Sequence, residues 1–135
     1  MNKIIEDQNF TAIDYSKNQL PKGEYNNCIF TNCIFTNADL SAIKFSECEW
    51  NSCDLTMANI SKTAFKNIRF KDCKLLGLHF DNCSDFLFEV YFENCILNLS
   101  SFYQRNLKGT TFNYCNLTEV DFTESNLTAA SFNHC

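Results

Sequence analysis

The stretch FTNCIFTNADLSAIKFSECEWNSCDLTMANI (residues 30–60) places a large apolar side chain at every fifth position: Phe30, Phe35, Leu40, Phe45, Trp50, Leu55 and Ile60. Two residues before each of these positions sits a small one: Cys28, Cys33, Ala38, Cys48, Cys53 and Ala58 for all but Phe45, which has Ile43. A period of five fits neither the 3.6 of an amphipathic helix nor the strict alternation of a long flat strand. It fits a chain that turns a corner every five residues, with the large residue i and the small residue i−2 pointing inward from one short extended segment. Asn recurs at i+2 (Asn27, Asn32, Asn37, Asn67, Asn82, Asn94), where such a corner asks for positive φ.

The same spacing extends in both directions. From Ile5 to Phe80 every fifth residue is large and apolar, and a second series follows from Phe92 through Leu97, Phe102, Leu107, Phe112, Leu117, Phe122 and Leu127 to Phe132. Steps of 20 align like with like, as in Phe10, Phe30, Trp50, Phe70 and in Cys33, Cys53, Cys73, so four segments close one coil. One step of 22 joins the two series, running Phe70 into Phe92, Leu75 into Leu97, Phe80 into Phe102 and Cys73 into Cys95. The expected fold is therefore an all-β solenoid of about 20 residues per coil, filling residues 1–135 as one domain. A single 22-residue coil bulges near 83–89. Six to seven coils rising ~4.8 Å each make a rod on the order of 30 Å long.

The segments NADLS (37–41), CDLT (53–56), CNLT (115–118) and SNLT (125–128) resemble the pentapeptide repeat family, whose repeat is a small residue, Asp or Asn, Leu or Phe, then two polar residues. That resemblance covers essentially the whole chain and implies a right-handed quadrilateral parallel β-helix. Residues 30–50 and 53–60 are further similar to the quinolone-resistance branch of the family. This second likeness implies a non-enzymatic rod that binds a type II topoisomerase such as gyrase in place of DNA, with carboxylates standing in for phosphates. The other reading is a structural scaffold with no topoisomerase activity, since fold alone does not give function.

Composition narrows the classes. The chain has 135 residues, 45% apolar and 20% charged, and a formal charge of −5. It is long enough to bury a core and lacks the composition of a disordered tail. No apolar run approaches the roughly 18 residues of a membrane span, and MNKIIEDQNF has no secretory apolar region. A cytoplasmic, reducing location is expected, with no membrane contact and no direct nucleic-acid binding. Residues 1–80 balance nine acids with nine bases, whereas 81–135 hold Asp81, Asp85, Glu89, Glu93, Glu119, Asp121 and Glu124 against Arg105 and Lys108. All of the excess lies in the second half.

No catalytic, cofactor or metal site is expected. There is no Gly-rich phosphate loop, and the two histidines, His79 and His134, fall at outward positions. The nine cysteines are an odd number and all occupy i−2 slots, which reads as small core residues rather than ligands or a disulfide set. Outward threonines do not align by 20 into an ice-binding ladder.

Arg105 breaks the pattern, a guanidinium in a slot meant for a small residue. It either pairs with Asp85 across the coil spacing or reaches out past a distorted corner. At the bulge, Cys83 and Leu87 are expected inward. Phe86 or Phe88 is pushed out near Tyr91, either as a partner contact or as a cover for the irregular coil. The candidate partner surface comprises Asp85, Phe86, Phe88, Glu89, Tyr91, Glu93, Glu119, Asp121 and Glu124. Residues 1–9, with Ile4 and Ile5, are expected to form an N-terminal lid. The last coil, with Leu127, Phe132 and Cys135, is expected to meet its copy in an end-to-end homodimer.

Overall fold

The computed structural model describes residues 3–135 and is an all-β solenoid of about six turns, with no α-helix among them. Its two sheets are parallel throughout. One holds β1 (Ile4–Glu6), β3 (Glu24–Asn26), β5 (Lys44–Ser46) and β7 (Ala64–Lys66). The other runs through β2 (Asn9–Thr11), β4 (Ile29–Thr31), β6 (Glu49–Asn51), β8 (Ile68–Lys71), β9 (Val90–Glu93), β10 (Thr111–Asn113) and β11 (Ser131–Asn133). The remaining two sides carry single bridges, such as Ile34 to Asp54 to Lys74 to Ile96 and His79 to Ser101 to Asp121. Partners are 20 residues apart except across the irregular coil, where Ile68 meets Val90 and Phe70 meets Phe92. The 22-residue step lies where the sequence puts it.

Alternation within the short strands of the inner coils buries the middle residue and leaves its neighbours more exposed. The resulting columns are continuous. Phe10, Phe30, Trp50, Phe70, Phe92, Phe112 and Phe132 stack with ring centroids 4.9–5.5 Å apart. Phe80, Phe102 and Phe122 form a second stack, and rings of the two columns meet edge to face, as Phe92 does with Phe102 at 5.9 Å. Offset-stacked and edge-to-face pairs each add about 0.5–1.5 kcal/mol beyond area burial, so the interior is filled rather than hollow.

The corners confirm positive φ at i+2 and widen the residue types that tolerate it. Asn27, Asn32, Asn37, Asn67 and Asn94 take it, but so do Met57, Leu99 and Tyr114. A left-handed L-residue costs roughly 1–2 kcal/mol. Here the amide of each is tied to the next coil, Met57 to the Leu76 carbonyl at 2.9 Å and Tyr114 to the Asn133 carbonyl at 2.8 Å. Asn82 is an exception, because residues Phe80–Asn82 close a 3-10 turn at the start of the bulge.

At the N-terminal end, Met1 and Asn2 of the expected lid lie outside the described residues. Residues 3–9 belong to the stack itself: Ile4–Glu6 pairs with β3, and Ile5 is aligned with Tyr25. No helix among the described residues is long and apolar enough to cross a membrane.

Candidate interaction surface

The interior thiols are sealed and donate to main-chain carbonyls. Cys48 reaches the Tyr25 carbonyl at 3.2 Å and Cys73 the Trp50 carbonyl at 3.2 Å. Burial pushes the Cys48 and Cys83 thiols up to about 12, so neither is a nucleophile at neutral pH. Among the described residues no group of three or more His, Cys, Asp or Glu is placed to hold a metal ion.

The bulge is a four-residue excursion from the ladder. Ser84 donates to the Thr63 carbonyl at 2.8 Å and Glu89 to the Phe65 carbonyl at 3.0 Å, while residues 85–88 turn away between them. Leu87 is the third residue of that turn and has φ of +55°. Its side chain therefore points out and is 52% exposed, contrary to the inward position expected from its apolarity. Phe88 turns back instead, half-buried and edge-on to Phe80 at 6.3 Å. Phe86 is the residue expelled, 74% exposed, and Cys83 stays buried as expected.

Arg105 does not pair with Asp85. Its Nη1 donates to the Cys83 carbonyl at 3.1 Å, Nε is buried without a partner, and no carboxylate among the described residues lies within 4 Å of the guanidinium. The turn carries Asp85 outward to an exposed position, which leaves a main-chain carbonyl as the acceptor.

The other candidate residues separate onto different sides of the rod. Tyr91 and Glu93 lie on β9 in the seven-stranded sheet, and Tyr91 is engaged by Arg69, whose guanidinium carbon sits 4.9 Å from the ring centre. Glu119, Asp121 and Glu124 fall together around the following corner pair, with Glu124 accepting from Gln104 at 2.8 Å. They stand two coils beyond the 85–88 turn, through the bridges from His79 to Ser101 to Asp121, whereas Tyr91 and Glu93 face out from the seven-stranded sheet, so the nine candidates are spread over more than one side of the rod. Leu127 and Phe132 in the last coil are 36% and 43% exposed, and the exposed Cys135 donates to the Phe112 carbonyl at 3.2 Å.

The sequence reading missed how the aspartates are held. Asp14, Asp39, Asp54 and Asp121 each precede an inward residue and accept the amide two positions on, from Ser16, Ser41, Thr56 and Thr123 at 2.8–3.0 Å. These bonds hold the carboxyls of Asp14, Asp39 and Asp121 below the ordinary value, led in each case by the side chain of the same Ser or Thr. One oxygen is fixed to the corner, and the charge is displayed on a rigid frame. The signal was legible as Asp-x-Ser/Thr recurring in the repeat.

A chain that closes a four-sided coil every 20 residues, with small donors at i−2 and left-handed corners at i+2, is a repeat solenoid of the pentapeptide kind. Residues 33–72, 87–123 and 106–135 match pentapeptide repeats in eight copies, and the chain belongs to that family. Among curated protein sequences no match is found. Similar solved structures include a trypsin-treated variant of QnrB1, a plasmid-mediated fluoroquinolone resistance protein, at 21% identity over 95% of this chain and 74% of that one, with a TM-score of 0.47. Another is the pentapeptide repeat protein Rfr23 from the cyanobacterium Cyanothece 51142, at 15% identity over 96% and 84% with a TM-score of 0.30. A third is HetL from the cyanobacterium Nostoc sp. strain PCC 7120, a pentapeptide repeat protein involved in heterocyst differentiation regulation, at 13% identity over 96% and 88% with a TM-score of 0.33.

Proposed function

We propose that this protein is a non-enzymatic interaction rod whose acidic second half binds a type II topoisomerase such as gyrase as a DNA mimic. The observation that carries this reading is a concentration of exposed acids around one corner-held aspartate. Asp121, held by Thr123, is flanked by Glu119 and Glu124 in a half of the chain whose seven acids face two bases. Acids on a frame with a regular rise of ~4.8 Å per coil present charge of one sign at set spacing to a basic DNA-binding channel. The sequence likeness to the quinolone-resistance branch supports the choice of partner. In the same reading the rod acts in the cytoplasm, where its nine free thiols stay reduced. Two copies join end to end through Leu127, Phe132 and Cys135.

The test is DNA supercoiling by gyrase with and without a quinolone across micromolar protein. Protection or inhibition that fades with salt, and that weakens on charge reversal at Glu119 and Glu124, is the expected result. No effect on gyrase at any concentration assigns the rod to scaffolding for another partner. A single monomeric species by light scattering at high concentration refutes the end-to-end dimer.

A further inference from the structure

We propose that the hollow beneath the 85–88 turn is a second docking site, one that takes an acidic, extended peptide segment of a partner protein. The four-stranded sheet stops at β7, and the chain from Asp85 to Phe88 leaves the ladder where the next strand of that side would lie. What remains is a hollow of about 430 Å³ walled by Leu87 and Phe88, with Lys66 on one side and Lys108 on the other. Lys22 and Lys44 are spent on Asp39 and Glu24 at 3.2 and 3.5 Å. Among the described residues neither Lys66 nor Lys108 has a carboxylate within 4 Å. Glu89 is the one acid in the wall, so the hollow is net positive inside a half of the chain that is strongly negative.

A second hollow of about 300 Å³ lies across the same turn, walled by Phe86 and Leu87 and again by Lys66, with Lys44 already paired to Glu24 in the same wall. Leu87 is thus an apolar ridge between two depressions that share Lys66. Charge and shape ask for carboxylates spaced along an extended segment with a bulky apolar side chain between them. The main-chain acceptors along and just before β7 that face the gap, the Thr63 and Phe65 carbonyls, already receive Ser84 and Glu89, so docking runs through side chains rather than strand addition. A nucleic acid is the poorer occupant, because two lysines within an acidic surround neutralise too few phosphates.

The probe is a fluorescein-labelled peptide alternating glutamate with leucine, compared by anisotropy with the same peptide carrying lysine for glutamate. The acidic peptide is expected to bind, and the Lys66→Glu/Lys108→Glu double variant to weaken it roughly tenfold. Leu87→Ser is expected to weaken it by a smaller factor, and all variants to keep the parent circular dichroism and melting curve. Charge reversal at Glu119 and Glu124 leaves peptide binding intact while removing the gyrase effect, which keeps the two surfaces experimentally separate. Failure of the acidic peptide to bind, equal binding of both peptides, indifference of the acidic peptide to the lysine reversals, or tighter lysine-dependent binding of a single-stranded oligodeoxynucleotide overturns the proposal.

Discussion

The hydroxyl of Thr63 donates to the main-chain carbonyl of Leu40 at 2.7 Å, joining two residues that lie one coil apart. Ser100 does the same to Leu75 at 2.6 Å and Ser125 to Phe102 at 2.7 Å, and the cysteines make weaker versions of the bond. The i−2 slot therefore does more than fill space where it holds a hydroxyl or thiol: there a short donor reaches the carbonyl of the inward residue beneath it, whereas Ala38 and Ala58 fit by size alone.

Replacing Thr63 with Val keeps the shape and removes the donor. Thermal or urea unfolding should show a loss of about 1 kcal/mol, and Thr63→Ser should recover most of it. An unchanged stability in the Val variant would mean that Ile43, whose amide reaches the same Leu40 carbonyl at 3.3 Å, satisfies it alone.

Trp50 sits between Phe30 and Phe70 with both ring separations at 5.0 Å. Trp50→Ala should cost about 3–5 kcal/mol by opening a gap in the column. Trp50→Phe should cost far less, because it continues the column and removes an indole N–H that is buried without a partner.

Asp85 carries no ion pair among the described residues, so Asp85→Asn should shift stability by no more than about 0.5 kcal/mol. A larger loss would restore the Arg105 pairing that its position in the sequence suggests.

Gly23 faces the Lys3 carbonyl, which a Cβ would approach to 2.5 Å. Gly23→Ala should therefore push the first strand off β3 and raise amide exchange at Glu24, whose N–H bonds that carbonyl at 2.8 Å. Exchange elsewhere in the stack should be unaffected.

The buried thiol of Cys48 is pushed from an ordinary 9.0 to about 12, and the phenols of Tyr15 and Tyr25 from 10.0 to about 12, all chiefly by desolvation. A folded value raised above the unfolded one gives stability that is complete below the unfolded value. It is lost as pH climbs toward the folded one. Denaturation midpoints should accordingly hold level up to about pH 9 and fall between pH 9 and 12.

The architecture was readable because its repeats are self-checking. Phe70 to Phe92 and Cys73 to Cys95 give the same 22-residue step, and the pairing of β8 with β9 reproduces it. The interior of the bulge was not readable. Leu87 and Phe88 are both apolar and both fit a core. Which one enters is decided by the sign of φ at the third residue of a four-residue turn. The partner of Arg105 was hidden for a different reason: it is a main-chain carbonyl, and any residue supplies one. For the candidate surface, sequence located the acids but treated nearness along the chain as nearness in space. Glu89 and Glu93 are four residues apart, yet Glu89 lines the hollow beside Lys66 whereas Glu93 stands on the seven-stranded sheet.

The ladder bonds that define the fold join residues about 20 apart, and the stack is held by neighbours alone. The molecule is thus modular along its axis. Excising one whole turn, residues 34–53, brings Cys33 to Asp54 in the phase that Cys53 now occupies and leaves every column unbroken. A cut of any length that is not a whole turn sends the aromatic column into the wrong wall. Length is the one property such a chain can vary in quanta without redesigning its interior, and the bulge marks where two extra residues were absorbed without disturbing the count.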